Sequence, residues 1–113
     1  MMTDAEPTPN TPAVFSFEDH TIDVIVEDGE PWFIGRQVCD ILGLKRQALY
    51  RLDDDQRGVR STDTPGGAQE IVTVNESGLY SLIFRSRKPE TQRFRSWVTR
   101  EVLPTIRRTG YYS

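Results

Sequence analysis

The chain has 113 residues, 36% of them apolar and 27% charged, with a formal net charge of −3. That supports one domain with one core rather than two, and no apolar run approaches the roughly 20 residues of a membrane-spanning helix. The single cysteine, Cys39, excludes an internal disulfide, and the start of the chain has no hydrophobic stretch of the kind an export signal needs, so the expected address is the cytoplasm.

Residues 1–12 carry Pro7, Pro9 and Pro12 among polar residues and no apolar cluster, which predicts a disordered, dispensable tail ahead of a folded domain over residues 13–113. Phe15 and Phe17 alternate, and Ile22, Val24 and Val26 alternate beyond an Asp19-His20 break. Asp28-Gly29 is a hairpin signal before Pro31-Trp32-Phe33-Ile34. These residues predict three short antiparallel strands.

The period then changes. Val38, Ile41 and Leu42 follow helical spacing, with Gly43 as the stop. A second short helix is expected over 45–52, turning Ala48, Leu49 and Leu52 inward. Two helices joined by a Gly-containing turn resemble a helix-turn-helix, a pattern that any two packed helices also produce. Val59 to Asp63 and Ile71 to Val74 read as a second hairpin with Thr64-Pro65-Gly66-Gly67 at its tip. Asn75 is an N-cap for a helix to about Phe84 that buries Leu79, Leu82 and Ile83. Pro89 suits the first turn of a last helix, in which Phe94, Trp97, Val98 and Val102 form the apolar stripe. Pro104 should kink or restart that helix and Gly110 should end it. The fold class is therefore α+β: small antiparallel hairpins packed with about four short helices in a single domain.

Enzyme chemistry finds little support. His20 is the only histidine and lies at a strand turn, so no nucleophile has an obvious base. Cys39 falls near an apolar stripe and reads as a packed thiol. Asp53, Asp55 and Gly58 match three positions of a calcium loop, but Arg57 and Thr64 stand where ligands are required. Gly66-Gly67 lacks the Lys-Ser/Thr of a phosphate loop. No metal or cofactor is expected, and a nuclease lacks its carboxylate-and-base set.

Charge is distributed unevenly. Residues 85–113 hold eight basic residues against two acids, and residues 1–84 hold six against fifteen. A segment of net +6 in an acidic chain points to a polyanionic partner, of which nucleic acid is the commonest. The expected phosphate contacts are Arg85, Arg87, Lys88, Arg93, Arg95, Arg100, Arg107 and Arg108, with Lys45 and Arg46 as secondary contacts. On a straight helix Arg93, Arg100 and Arg107 fall within about 40° of one another, a ridge able to track phosphates. The two tryptophans lie on apolar stripes and read as core, which leaves Tyr111 and Tyr112 as exposed stacking candidates. Glu101 falls inside the last apolar stripe on a helical wheel. Either it is held by a partly buried ion pair, with a partner such as Arg36, or by a backbone hydrogen bond, or the stripe frays near Pro104 and the carboxylate meets water.

Several blocks also carry a family resemblance. They are Gly29-Glu30-Pro31-Trp32-Phe33, Val38-Cys39-Asp40-Ile41-Leu42-Gly43-Leu44, Leu52-Asp53-Asp54-Asp55 with Gly58-Val59, and Pro65-Gly66-Gly67. The longest runs from Val74-Asn75-Glu76-Ser77-Gly78-Leu79-Tyr80 through Ser86-Arg87-Lys88-Pro89. Phe94-Arg95-Ser96-Trp97-Val98 and Glu101-Val102-Leu103-Pro104-Thr105-Ile106-Arg107 follow. In these the chain resembles the N-terminal domain of the BRO family, found in phage antirepressors and large DNA viruses of insects, from about Phe15 to Tyr112. The resemblance implies a compact α+β module that binds double-stranded DNA, in a phage or prophage transcriptional regulator. The family usually couples this domain to a variable C-terminal one, which the chain is expected to lack. Antirepressors also bind repressor proteins, so the rival expectation is a module that captures a repressor or self-associates through apolar and aromatic surface.

Overall fold

A computed structural model describes residues 13–64 and 66–109. The proposed tail, Gly110 and the Tyr111-Tyr112 pair lie outside the described residues. Strand β1 (Ala13–Phe17), β2 (His20–Glu27) and β3 (Glu30–Ile34) form an antiparallel meander. Asp28 and Gly29 both take positive φ, +52° and +80°, the backbone that a tight two-residue hairpin demands. Helix α1 (Gly35–Leu42) follows directly and ends where Gly43, at φ +69°, gives its N–H to the Cys39 carbonyl.

The expected second helix is instead a tight 3-10 helix, Arg46–Arg51, followed by a shorter one, Asp54–Gln56. The second hairpin is longer than its apolar residues indicate. Its strands β4 (Arg57–Thr64) and β5 (Gly67–Val74) pair along their whole length, because polar residues there still form ladder bonds. Strand β5 then meets β3 only through Phe33–Val74 and Ile34–Thr73, completing a five-stranded antiparallel sheet of order β1-β2-β3-β5-β4. The arrangement is α+β.

Helix α2 (Glu76–Arg85) starts at the expected cap: the Gly78 N–H donates to Asn75 Oδ1 at 2.9 Å. Pro89 stands before the last helix rather than in its first turn, since Pro89 and Glu90 form a turn and α3 spans Thr91–Trp97. A π turn, Val98–Val102, then links α3 to α4 (Leu103–Thr109). Its cause is Pro104, which has no N–H to offer the Arg100 carbonyl and whose ring would crowd it. The wider turn, with the Leu103 N–H reaching back to the Val98 carbonyl, absorbs the mismatch without breaking the helix.

The core lies between one face of the sheet and the helices. Val24, Phe33 and Val74 are opposite one another on three adjacent strands and fully buried. Phe94 sits edge-on to Phe17 at 5.3 Å and beside Trp97 at 5.9 Å, docking α3 onto the first hairpin. On the other face Ile25, Trp32 and Ile34 form a small cluster. There Arg60 stacks on Trp32 at 3.7 Å and pairs with Glu27 at 2.8 Å. Phe94, Val98, Val102 and Ile106, four apart, are all buried, while Glu101 is exposed and forms no ion pair among the described residues. More than 3.6 residues per turn through the π segment carry Glu101 out of the stripe, and Arg36 is exposed on α1. The half-buried pair therefore does not form.

Candidate nucleic-acid interface

The site is built where α2 ends. Helix α2 buries Leu79, Leu82 and Ile83 against the core, so Phe84 and Arg85, next along the spiral, face outward. Phe84 is 86% exposed. The loop that follows is pinned by Ser86, whose hydroxyl donates to the Leu42 carbonyl at 2.8 Å and lies 2.6 Å from Thr91 Oγ1. The Lys88 stem lies against Gly43, where a β-carbon would collide with it. Arg87 and Lys88 are thereby held beside the ends of α1 and α2 rather than on a free loop.

A groove of about 730 Å³ runs between α2 and α3, lined by Tyr80, Phe84, Arg87, Lys88, Arg95 and Thr99 among others. Burial raises the Tyr80 phenol above its ordinary value, helped by Glu76 and opposed by Arg107 and Arg95. The hydroxyl therefore stays protonated, available to donate a hydrogen bond. A second groove of about 510 Å³ is lined by Lys45, Ala48, Arg51 and Arg85, with Leu44 and Gln47. The consecutive residues Phe84 and Arg85 belong one to each groove, so the two open on either side of the same helix end.

Ion pairing sorts the basic residues. Arg93 binds Glu18 at the β1–β2 turn, Nε to Oε2 at 2.8 Å and Nη2 to Oε1 at 3.4 Å. That hydrogen bond, chiefly, holds the Glu18 carboxyl below the usual carboxylate range. Arg107 lies 4.0 Å from Glu76, Arg46 lies 3.3 Å from Asp40, and Arg57 and Arg60 pair with Asp54 and Glu27. Lys45, Arg51, Arg85, Arg87, Lys88 and Arg95 form no ion pair among the described residues. All six line the two grooves.

Of the expected ridge of Arg93, Arg100 and Arg107, Arg93 and Arg100 line one groove while Arg107 lies beside Glu76. The π turn shifts the helical phase between its members, and two of them turn to carboxylates. Arg100 shares a shallow groove with Arg93 and Trp97, and Arg108 reaches Thr105 Oγ1 at 3.3 Å. Of the residues singled out from sequence, Arg85, Arg87, Lys88, Arg95 and Lys45 line the two grooves, whereas Arg46, Arg93, Arg100, Arg107 and Arg108 do not. Arg51 is the member that the sequence reading missed. A 3-10 helix has three residues per turn, which puts Lys45, Ala48 and Arg51 on one face, whereas an α-helix turns Arg51 well away from Lys45.

No helix among the described residues is long and apolar enough to cross a membrane. No solved structure matches the chain. In sequence, 104 residues are 43% identical to an "Uncharacterized protein" of Haemophilus influenzae, covering 88% of this chain and 52% of that one. Bro-N domain-containing protein 019R of Invertebrate iridescent virus 3 is 31% identical over 120 residues, covering 84% of this chain and 30% of its own length. Protein 201R of Invertebrate iridescent virus 6, likewise Bro-N domain-containing, is 32% identical over 112 residues, 79% of this chain and 26% of its own. The chain thus spans about half or less of the length of these relatives. Residues 21–104 match the model described as the BRO family, N-terminal domain, and with that span covering most of the chain, the protein belongs to the BRO family.

Proposed function

We propose that the domain binds double-stranded DNA through the basic surface at the end of α2, as the non-enzymatic DNA-binding part of a phage-type transcriptional regulator. The observation that carries this reading is the segregation of cations by pairing. Five arginines elsewhere pair with carboxylates, and Arg36, Arg100 and Arg108, without an ion pair among the described residues, lie outside the two grooves, while six cations without an ion pair gather around those grooves, available to a polyanion. Placing six unneutralised cations together costs electrostatic self-repulsion, which phosphates relieve while releasing counterions. Arg46, Arg93 and Arg107, already engaged, fall to the periphery of the contact.

A titration of random duplex DNA across salt concentrations tests the reading. With six phosphates contacted, log K should fall against log salt with a slope of about −5. Replacing Arg85 and Arg87 together by Ala should reduce that slope by about 2, whereas Arg93→Ala should leave it nearly unchanged. Absence of binding at low salt refutes the proposal. The rival reading, capture of a repressor or self-association, draws on the exposure of Phe84. An apolar interface of that kind would persist as salt rises.

A further inference from the structure

We propose that Phe84 is a wedge that enters the base stack of duplex DNA, opening one base step while the surrounding cations hold the flanking phosphates. This rests on the DNA-binding reading and names what the same surface does to its ligand. Single exposed apolar residues are common on any protein, and Val14, Tyr50 and Val59 are exposed here too. Phe84 differs in where it stands. Among the described residues it is the most exposed of the large apolar ones, at 86%. It shares its groove with Arg87, Lys88 and Arg95, and the residue after it shares the neighbouring groove with Lys45 and Arg51.

A partner that brings negative charge to both grooves brings whatever lies between those charges to Phe84. In duplex DNA the phosphates flank the bases, and base faces are its chief apolar surface. Those faces are covered by stacking, so an aromatic ring gains contact only by separating a step. Apolar wedges flanked by basic residues do this from the minor groove, and pyrimidine–purine steps yield most readily. A wedge must also be held firmly. Phe84 sits on a helix with a satisfied cap, and the loop after it is tied to Leu42 and Thr91 through Ser86.

The test uses the full chain and Phe84→Ala, a surface change expected to leave the fold and melting temperature intact. The probes are duplexes with 2-aminopurine beside a central TA step or within an A-tract, and the matching single strands. The wedge predicts a rise in 2-aminopurine fluorescence when the unaltered protein binds the TA duplex, and none with Phe84→Ala. It also predicts about a tenfold loss of affinity in the variant with an unchanged salt slope, since no phosphate contact is removed. End-to-end energy transfer should report bending by the unaltered protein only. Equal affinity and equal fluorescence for both proteins overturn the wedge while leaving salt-dependent DNA binding in place. A fluorescence response confined to the single strands overturns it in favour of stacking on unpaired bases. No binding of either protein to any of these DNAs at low salt refutes the DNA reading itself. Salt-insensitive capture of a protein through Phe84 would do the same.

Discussion

Asn75 joins two parts of the molecule that are far apart in sequence, and replacing it by Ala should be costly for two separable reasons. Its Oδ1 accepts the Gly78 N–H at 2.9 Å, capping the helix that presents Phe84 and Arg85. Its Nδ2 donates to the Asp55 carbonyl at 2.7 Å, tying the same helix to the short 3-10 helix before β4. The side chain is buried. Loss of an N-cap costs about 1 kcal/mol, and leaving the Asp55 carbonyl without its donor in a part-buried place adds about 1 to 2 kcal/mol. The total, about 2 to 3 kcal/mol, should lower the melting temperature of a domain this size by roughly 10 °C. Urea denaturation followed by circular dichroism reads the change as a lower midpoint with the same slope. Asn75→Asp keeps the cap acceptor and loses the donor, so it should fall between the two. A loss below about 0.5 kcal/mol for Asn75→Ala would refute the argument, because it would mean that water replaces both bonds.

Phe94→Ala empties the contact between α3 and the first hairpin, where the ring is fully buried against Phe17 and Trp97; calorimetry should find a loss of about 3 to 5 kcal/mol. Gly78→Ala adds a β-carbon 2.5 Å from the Gln56 carbonyl oxygen, so despite the better helix propensity it should lose about 1 to 2 kcal/mol in denaturant. Glu101→Ala should change stability by less than about 0.5 kcal/mol in the same assay, since the carboxylate is exposed and forms no ion pair among the described residues. The Glu18 carboxyl is lowered by Arg93, so its small contribution is fully present above the unfolded value of about 4.3 and fades as acid takes the pH through the folded value. Glu18→Gln should therefore narrow its stability gap to the unaltered protein below about pH 4, as measured by acid titration of the melting temperature.

What could be read from the sequence was what neighbouring residues decide among themselves. Asp28-Gly29 makes its hairpin because two consecutive positive φ values are cheap there. Gly43 stops α1 for the same kind of reason, and Asn75 caps α2 through a bond three residues long. Leu79, Leu82 and Ile83 of α2 and Ile22, Val24 and Val74 of the strands followed their periods inward, and the excess of cations after residue 84 is a matter of composition. Pro104 announced a disturbance, but its form as a π turn rather than a kink depended on Phe94, Val98, Val102 and Ile106 all staying against the core. The identity of the site was decided at longer range. Glu18 and Arg93 are 75 residues apart, so nothing local could show that this arginine is already neutralised. Arg51 joined Lys45 and Arg85 because a 3-10 helix formed where an α-helix was expected, and Phe84 became the exposed centre only when Leu79, Leu82 and Ile83 had taken the buried side. Turn and cap chemistry is short-ranged and legible in one dimension. Which charges cancel, and which face a partner, is settled only when the chain has brought distant carboxylates and cations together.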